Sequence, residues 1–463
     1  MKQFERSDKH DLYNSDLRPL TLKDRVLSPI TLGVTWFGMS VQLGIFLVSA
    51  SFVQIMTLNQ ILLALFLGLM LCWGVSILVS DIGIKYGIAF ASSIMVSFGY
   101  KGSQFGSLLR LIPSVFWVGF NTWIAGMALN EIFKLMFGIQ SLIIAMGIIA
   151  IVTVLLVFYG AKLVAIFNWF VSPILLIIGV YLLYLLLTMN EVSLIEVLPM
   201  GETSGGFKEV AFATMVIAGG WIMVVAGFND VARECKVSDK ADLSSWGKTN
   251  NKFAVAQLIG LVPASLLFGF IGAVSAVLTG NGNPVEVITA TVGQNSIFIA
   301  ILCQLFLVLA LLSTNSGANV LGSAYILTSI FNKKINLRIS AILIVCIALV
   351  AQPWKVGESI ENAMGIMSSL ISPIAGIIIV DYYLIRNRYI DLDHLYWSEG
   401  RYAYFKGFNP VAFVAYIIGV IASFFAWDFM LLIGMLVSGL IYFVLAKYWL
   451  SPTYPDSVQM VSE

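Results

Sequence analysis

Residues 29–54 read PITLGVTWFGMSVQLGIFLVSASFVQ and contain no charged side chain. A helix of this length crosses the hydrocarbon core of a bilayer, for which roughly 20 apolar residues are needed. The run is continuously apolar, whereas a strand of a membrane barrel would alternate apolar and polar residues. Pro29, Gly38 and Gly44 interrupt it, and Gln42 lies near its centre. The stretch therefore predicts a membrane-spanning helix that is breakable and carries a polar group at mid-depth.

The rest of the chain repeats this pattern. Of its 463 residues, 59% are apolar and only 11% are charged, whereas average soluble domains carry about 25% charged residues. We predict an all-α membrane protein with about twelve spanning helices, numbered helix 1 to helix 12 in chain order. Their expected ranges are 29–54, 58–80, 106–136, 139–160, 164–188, 209–229, 251–279, 297–331, 337–352, 356–384, 409–427 and 429–449.

The Lys and Arg residues predict the orientation of these helices. Cytoplasmic loops of membrane proteins carry an excess of both residues. With the N-terminus in the cytoplasm, 23 of the 26 fall on the cytoplasmic side, and only Lys134, Lys208 and Lys355 fall on the other. We therefore expect a multi-pass protein of the plasma membrane with both termini in the cytoplasm.

Glycine positions indicate an internal repeat. Helix 6 carries Gly219 and Gly220, and helix 1 carries Gly38 and Gly44. An offset of five helices inverts the topology, and interrupted helices at corresponding positions of two halves mark the central site of many transporters. Close helix packing also selects glycine, so this alternative stays open. The expected organisation is an N-terminal cytoplasmic segment (1–28), a first repeat (29–188), a second repeat (209–384), two further helices (409–449) and a cytoplasmic tail (450–463).

Several polar and aromatic groups lie at mid-depth, where they are costly and therefore informative. Trp117 and Asn121 share one face of helix 3, because they are four residues apart. Gln42 lies in helix 1, and Trp221 directly follows the glycine pair of helix 6. Each alone is explained by packing or by helix–helix hydrogen bonds. Their combination favours a binding site.

Helix 8 carries Ser313, Thr314 and Asn319 in a run of small residues. Hydroxyls in helices usually bond back to a carbonyl of the preceding turn. Together with the carbonyls of a broken helix 1, however, they form a set of oxygen ligands, which suits a hard cation such as Na⁺.

The helix centres contain no charged groups, and this indicates the charge of the solute that the protein binds. The two histidines, His10 and His394, lie outside the spans, and no Lys or Arg lies at a helix centre. Acidic residues occur near the helix ends, at Glu131, Asp230, Glu358 and Asp381. A neutral, flat, hydrogen-bonding ring fits better than an ion, because indoles stack on its faces and amides pair with its edge.

Five stretches carry a resemblance to a known family. They are WFGMSVQ (36–42), FWVGFNTW (116–123), GGWIMVV (219–225), LLSTNSGANVLGSAY (311–325) and SPIAGIIIVDYYLIRNRYIDLDHLY (372–396). From about residue 17 to 450, the chain resembles the nucleobase:cation symporter-1 family, and within it the bacterial sodium–hydantoin symporters.

This resemblance implies a LeuT-type fold, in which helices 1–5 and 6–10 form inverted repeats and helices 11 and 12 are peripheral. The substrate would stack between Trp117 and Trp221. The groups around its edge would be Gln42, Asn121, the Gly220 backbone and Asn319. The sodium ligands would be the carbonyls of Gly38, Val41 and Ala310 and the hydroxyls of Ser313 and Thr314. Met364 falls where the family has an outer gate.

One position departs from the hydantoin pattern. The hydantoin symporter has Gln where this chain has Asn121, whereas purine–cytosine and allantoin members have Asn. The resemblance therefore leaves the substrate open among hydantoin, allantoin and a nucleobase.

We expect a sodium-coupled importer of a neutral cyclic amide, with Na⁺ as coupling ion and no resident cofactor. The expected surroundings are membrane lipid, with no nucleic acid and no second subunit. The main alternative is a proton-coupled nucleobase permease, which would need a titratable group near the site. A channel would show a continuous polar stripe, and a membrane enzyme would show a motif such as HExxH. The sequence contains neither pattern.

Overall fold

The computed structural model describes residues 9–41, 43–238, 242–331, 334–355 and 360–458. Over these ranges the chain forms helices joined by turns and loops, with two isolated β-bridges. In the first half, the α-helices are α1 (Pro29–Ser40), α2 (Leu43–Ser51), α3 (Leu58–Tyr86), α4 (Phe90–Phe98), α5 (Gly102–Phe137), α6 (Leu142–Phe158), α7 (Gly160–Met189), α8 (Leu194–Val197), α9 (Phe207–Ala226) and α10 (Asn229–Ala232). In the second half, they are α11 (Trp246–Thr279), α12 (Pro284–Asn295), α13 (Ile297–Thr314), α14 (Leu321–Ile330), α15 (Leu337–Ala351), α16 (Ile360–Val380), α17 (Leu392–Leu395), α18 (Pro410–Phe425), α19 (Met430–Leu445), α20 (Ser451–Thr453) and α21 (Pro455–Val458).

Short segments of other helical types connect these elements. Within the described ranges, 3₁₀ turns cover Ser15–Leu17, Phe52–Gln54, residues 353–355 and Trp427–Phe429. Three π-helical segments cover Asn315–Val320, Asp381–Ile385 and Ala446–Leu450. The first of these joins α13 to α14, so the two helices form one continuous span.

The long helices are apolar enough to span a membrane. Among the described residues, nine helices meet this requirement by length and composition, and a tenth span is formed if α1 and α2 are counted as one broken helix. Two shorter apolar helices, α6 and α18, coincide with the fourth and eleventh expected spans. Each of the twelve expected ranges thus overlaps a helix or a helix pair. Among the described residues, two further helices of nine or more residues, α4 and α12, lie between spans where no helix was expected, and so do the single-turn helices α8 and α17.

The first span is broken, as the sequence predicts. Ser28 caps α1 by accepting a hydrogen bond from the Thr31 amide, and Pro29 occupies the first turn, where its missing amide hydrogen costs nothing. The helix ends at Val41, whose ψ of 73° is not helical. The axes of Pro29–Ser40 and Gly44–Gln54 differ by 50°. The last carbonyls of α1 consequently lose their partners within the helix.

The expected break of the sixth span at its glycine pair is wrong. Helix α9 runs without interruption through Gly219 and Gly220 and ends before Gly227. A Cβ atom on Gly219 would lie 2.9 Å from Cβ of Ser368 and 3.2 Å from the Met364 carbonyl oxygen, both on α16. The glycine pair therefore serves close approach of two helices, the alternative left open by the sequence.

The helices that flank the centre of the molecule pack in two groups, and α16, α18 and α19 pack on one another beside them. Helices α1, α2, α3, α9 and α11 pack mainly on one another, and so do α5, α6, α13, α14 and α15. Helix α7 contacts both groups, through α1 and α11 on one side and α13 on the other. A buried polar region lies between the two groups.

Loops from distant parts of the chain meet at one end of the bundle, which we call the N-terminal face. There the amides of Leu12, Leu20 and Val26 donate to the carbonyls of Tyr396, Gly87 and Glu234, at 3.1, 2.9 and 2.9 Å. We call the other end the far face.

Candidate functional site

The region between the two groups of helices is lined by the break between α1 and α2, α5, α9, α16 and the π-helical segment Asn315–Val320. Trp117 of α5 lies directly over the break. A Cβ atom on Gly44 would lie 2.6 Å from Cζ3 and Cη2 of this indole, so a glycine is needed for the contact. The indole also meets Phe116 and Phe120 edge to face, with ring centroids 5.4 and 5.8 Å apart. Packing on three sides fixes the orientation of the Trp117 ring.

Met364 lies between the break and α9. A Cβ atom on Gly220 would lie 3.5 Å from both Sδ and Cε of Met364, and one on Gly44 would lie 3.7 Å from its Cε. The thioether therefore fills the space between the two glycines, next to the indole of Trp117. A flexible methionine side chain can vacate such a position by changing rotamer.

Trp221 is buried on the other side of this region. Its ring packs against Trp36 with centroids 5.6 Å apart, and Trp36 in turn stacks on Phe228 at 4.5 Å. Its indole nitrogen, Nε1, is buried and has no hydrogen-bond partner among the described residues. Buried indole N–H groups normally find a partner, so this donor is available to a ligand.

Asn121 is the clearest sign of a binding site. Its side chain is 0% exposed, and neither its amide oxygen nor its amide nitrogen has a partner among the residues that the structure describes. It lies one helical turn from Trp117 on the same face of α5. Leaving a buried polar group unpaired costs about 1–3 kcal/mol, so natural proteins retain such groups chiefly where a ligand or an ordered water completes them.

Asn319 is held by a second asparagine. Its Nδ2 donates to Oδ1 of Asn315 at 3.2 Å, and Nδ2 of Asn315 donates to the Val118 carbonyl at 3.1 Å and to the Thr122 hydroxyl at 3.0 Å. Both asparagines belong to the π-helical segment, a feature frequent at functional sites. The sequence indicated Asn319 but missed Asn315, whose role depends on a contact with α5.

The hydroxyl groups at the end of α13 face the broken first span. Oγ1 of Thr314 lies 3.2 Å from the Met39 carbonyl oxygen and 3.2 Å from that of Ala310. Met39 lies in the last turn of α1, where carbonyls lack partners within the helix. The neighbouring hydroxyl, that of Ser313, donates to Oδ1 of Asn168 on α7. Neutral oxygen atoms from α1 and α13 thus converge, as a site for a hard monovalent cation requires.

The expected site residues are therefore partly brought together. Trp117, Gly220 and Met364 are neighbours, as are Thr314 and Ala310. Val41 lies at the break itself, and Gly38 lies one turn before it. Gln42 lies outside the described residues. Asn168 was missed, although an asparagine in the apolar run IFNWF was visible in the sequence.

A cavity of about 340 Å³ approaches the region from the side of α12 and the loop that follows α15. It is lined by Leu47, Ser51, Phe120, Trp123, Ile124, Met127, Asn283, Pro284, Trp354, Ile360 and Glu361. Phe120, which lines this cavity, also touches Trp117. Thus a single layer of aromatic rings separates the cavity from the central site.

Buried ion pairs close the opposite side. The Arg110 guanidinium donates to Oδ2 of Asp230 at 2.6 Å and to the Met223 carbonyl at 2.9 Å. The other oxygen of Asp230 accepts from the Phe90 amide at 2.7 Å. This pair joins α5 to the segment that follows α9, and so connects the two groups of helices at the N-terminal face.

A helical bundle whose first span is broken at mid-depth, with buried unpaired polar groups beside the break, has the architecture of a secondary transporter. Residues 19–450 match the family of permeases for cytosine/purines, uracil, thiamine and allantoin. The chain belongs to this nucleobase:cation symporter-1 family, and it is a membrane transporter and not an enzyme.

Characterised relatives align with nearly the whole chain. The hydantoin permease of Microbacterium maritypicum is 36% identical over 444 residues, which cover 96% of this chain and 90% of that protein. The allantoin permease of Bacillus subtilis (strain 168) is 25% identical and covers 94% of this chain and 93% of that protein.

Solved structures agree with this assignment. Mhp1, a transporter of the same family, in a closed conformation with bromovinylhydantoin bound, superimposes with a TM-score of 0.91 at 36% identity, covering 96% of this chain and 97% of that one. The inward-facing conformation of Mhp1 gives a TM-score of 0.87 at 35% identity, covering 97% and 99%. A Na⁺-coupled sialic acid symporter gives 0.63 at 14% identity, covering 92% and 91%, and shares the fold alone. The fold is therefore that of Mhp1 and of LeuT-type transporters.

Proposed function

We propose that this transporter imports a neutral cyclic amide of the hydantoin type together with sodium. The observation that carries the proposal is Asn121, a buried amide without a hydrogen-bond partner in the described part of the chain, beside the indole of Trp117. An amide offers one acceptor and two donors, which complement the alternating N–H and C=O groups of hydantoin, uracil or allantoin. An indole face supplies the stacking surface for such a ring.

The relatives support this class of substrate. The hydantoin permease at 36% identity and the allantoin permease at 25% identity are both named for neutral cyclic ureides. In the described residues beside Trp117 and Asn121, no carboxylate or cation is available to neutralise a charged solute, since Asp230 is engaged by Arg110.

Sodium is the proposed coupling ion. The supporting observation is the approach of the Thr314 hydroxyl to the carbonyls of Met39 and Ala310. An ion bound among these oxygens, with Gly38, Val41 and Ser313 as the further expected ligands, would bridge α1 and α13 across the seam between the two groups of helices. It would then favour the outward-open conformation, by the difference in its affinity for the two conformations.

The proposed mechanism is alternating access. Helices α1, α2, α3, α9 and α11 would move as a bundle against α5, α6, α13, α14 and α15, and residues 29–188 and 209–384 would be inverted repeats. Mhp1 is known in a closed and an inward-facing conformation. We further propose that the N-terminal face lies in the cytoplasm, because this orientation gives the cytoplasmic excess of Lys and Arg.

A ligand screen tests the substrate. The purified protein would be heated with bromovinylhydantoin, allantoin, uracil, cytosine or adenine, each in sodium chloride and in choline chloride. We expect at least one of these rings to raise the unfolding temperature, and to raise it more in sodium, because substrate and ion binding are reciprocal. If none of the rings stabilises the protein in either salt, the proposed substrate class is wrong.

A threonine variant tests the ion. Thr314→Ala should abolish the stimulation of uptake by sodium, whereas Thr153→Ala should not. Thr153 is the matched control, because it is equally buried and donates only to the Ile149 carbonyl of its own helix. Uptake by the wild type that is equal in sodium and choline, and that follows a pH gradient, would instead support the proton-coupled alternative.

A further inference from the structure

Asn168 has no assigned role, yet it lies against the proposed cation site. It belongs to α7, is 0% exposed, and accepts the hydroxyl hydrogen of Ser313 on its Oδ1. Its Nδ2 has no hydrogen-bond partner within the described ranges of the chain. An unpaired amide nitrogen at this depth is costly, so the side chain is not explained by its own stability.

The direction of the hydrogen bond matters for cation binding. A serine hydroxyl has one hydrogen and two lone pairs. As a ligand it must turn a lone pair toward the cation and its hydrogen away. Oδ1 of Asn168 accepts that hydrogen from Ser313, and so fixes the hydroxyl in the orientation that a cation needs. Thr314 has carbonyl acceptors on α1 and on its own helix for the same purpose.

The backbone of α1 is shaped around this amide. A Cβ atom on Gly38 would lie 2.7 Å from Cγ of Asn168 and closer still to its Oδ1, and 3.1 Å from the Ser172 hydroxyl. No side chain at position 38 fits unless the amide moves. Gly38 therefore allows the amide of Asn168 to reach the end of α1, where the unpaired carbonyls lie.

We propose that Asn168 is a positioning residue of the cation site, which orients the Ser313 hydroxyl toward the ion and makes α7 a third wall of the site. The inference rests on the proposed sodium coupling. It predicts that α7, which contacts both groups of helices, responds to sodium binding together with α1 and α13.

The principal test is a sodium titration of the wild type and Asn168→Ala. Sodium chloride at constant ionic strength, balanced with choline chloride, would be titrated against the unfolding temperature and against uptake of bromovinylhydantoin. We expect the half-saturating sodium concentration to rise about tenfold in Asn168→Ala, as the loss of one hydrogen bond to the ligating hydroxyl predicts. The affinity for bromovinylhydantoin at saturating sodium should change less than twofold, which a general packing defect would not achieve.

Two further variants separate positioning from packing. Asn168→Asp should retain a half-saturating sodium concentration at or below that of the wild type, because a carboxylate accepts the same hydrogen and adds attraction for the cation. Ser172→Ala is the matched control on the same face of α7, since its hydroxyl donates to the Val34 carbonyl and not to Ser313. It should leave the sodium titration unchanged.

A double-mutant cycle tests whether Asn168 acts through Ser313. In the Ser313→Ala background, Asn168→Ala should cause no further rise in the half-saturating sodium concentration, because no hydroxyl remains to be oriented. Should Asn168→Ala fail to fold, Asn168→Leu provides the same test, since leucine fills a similar volume but offers no acceptor for the Ser313 hydroxyl.

The outcomes distinguish this inference from the function on which it rests. If neither uptake nor the unfolding temperature of the wild type depends on sodium, the proposed sodium coupling and the role of Asn168 are both wrong. A wild type that depends on sodium, with Asn168→Ala titrating identically or with additive effects in the cycle, overturns the role of Asn168 alone.

Discussion

The ion pairs near the N-terminal face and the unpaired neutral groups of the central site are buried in opposite ways. Three buried ion pairs lie near the N-terminal face: Arg110–Asp230, Arg388–Asp81 and Arg386–Asp381. Both carboxylate oxygens of each aspartate accept hydrogen bonds. In the described part of the central site the polar groups are neutral, and Asn121 and Trp221 have donors or acceptors without a partner there.

The difference follows from what each region does. A buried charge is tolerated only when it is paired and hydrogen-bonded, so the face that must seal against water can use charges that satisfy one another. Groups that are already hydrogen-bonded have few donors or acceptors left to bind a solute. The central site keeps neutral groups unpaired, because an unpaired neutral group costs far less than an unpaired charge and is completed by the ligand.

The largest expected effect comes from breaking a buried ion pair in which both carboxylate oxygens accept hydrogen bonds. Arg110→Ala leaves Asp230 charged and buried, and should lower the free energy of unfolding by about 3–5 kcal/mol. The measurement is denaturant unfolding of the purified protein in detergent. The double variant Arg110→Met with Asp230→Leu should lose less stability than the single one, because no charge remains unpaired. A single variant as stable as the wild type would show that the pair does not seal this face.

Removing a stacking surface should weaken binding and leave folding largely intact. Trp117→Ala should reduce the affinity for the substrate by roughly 1–3 kcal/mol, the magnitude of ring stacking on an aromatic side chain. Trp117→Phe should retain more of it. Calorimetric titration with the ring that stabilises the wild type measures both. The matched control is Trp169→Ala, since this indole is 47% exposed on the outer surface of α7. Equal affinities in all three variants would mean that Trp117 only packs.

Changing the reach of an unpaired amide should alter selectivity. In Asn121→Gln the amide extends roughly 1.3–1.5 Å further, one methylene. We expect a gain for bromovinylhydantoin over allantoin or uracil of about 0.5–1.5 kcal/mol, the contribution of one hydrogen bond. Competition of bromovinylhydantoin, allantoin and uracil against the native substrate at saturating sodium gives the order of their affinities. Asn130→Gln, at the far end of the same helix, where the amide binds the Ser141 backbone, should leave that order unchanged. If Asn121→Gln binds the rings in the same order of affinity as the wild type, other residues determine the selectivity.

The smallest effect is expected at an exposed pair. Arg18 and Asp24 are 43% and 37% exposed, with the atoms 2.8 Å apart, and hydrogen bonds from Arg18 and Thr21 lower the pKa of Asp24. Arg18→Ala should cost less than about 1 kcal/mol of stability. Because the pKa of the folded state is lowered, this contribution is present above the unfolded pKa and is lost as the pH falls through the folded value. Unfolding at neutral and acidic pH should show the difference between wild type and variant disappearing in acid.

The sequence predicts the spans well because each depends on its own residues. The apolar runs, Pro29 and the glycines near Gln42 were enough to predict the broken first span. Gly219 and Gly220 were misread, because a glycine pair that breaks a helix and one that admits α16 look identical in sequence.

Contacts between distant helices were beyond prediction. The bond from Ser313 to Asn168 joins positions 145 residues apart, and the pair of Arg110 with Asp230 joins positions 120 apart. Each residue alone is a polar group in or near a span. The partner of each residue is determined by the packing of α7 on α13 and of α5 on α9.

The π-helical segment Asn315–Val320 has a genetic consequence. A π turn holds one residue more than an α turn, so this stretch behaves as a tolerated one-codon insertion within a span of 34 residues. Deleting one codon among residues 316–318 would restore regular α geometry and shorten the separation of Asn315 and Asn319 from four residues to three. The shortened span would still insert into a bilayer, but the hydrogen bond from Nδ2 of Asn319 to Oδ1 of Asn315 would lose its present geometry while Thr314 kept its place. Substitutions in this stretch should therefore be far better tolerated during evolution than any change in its length.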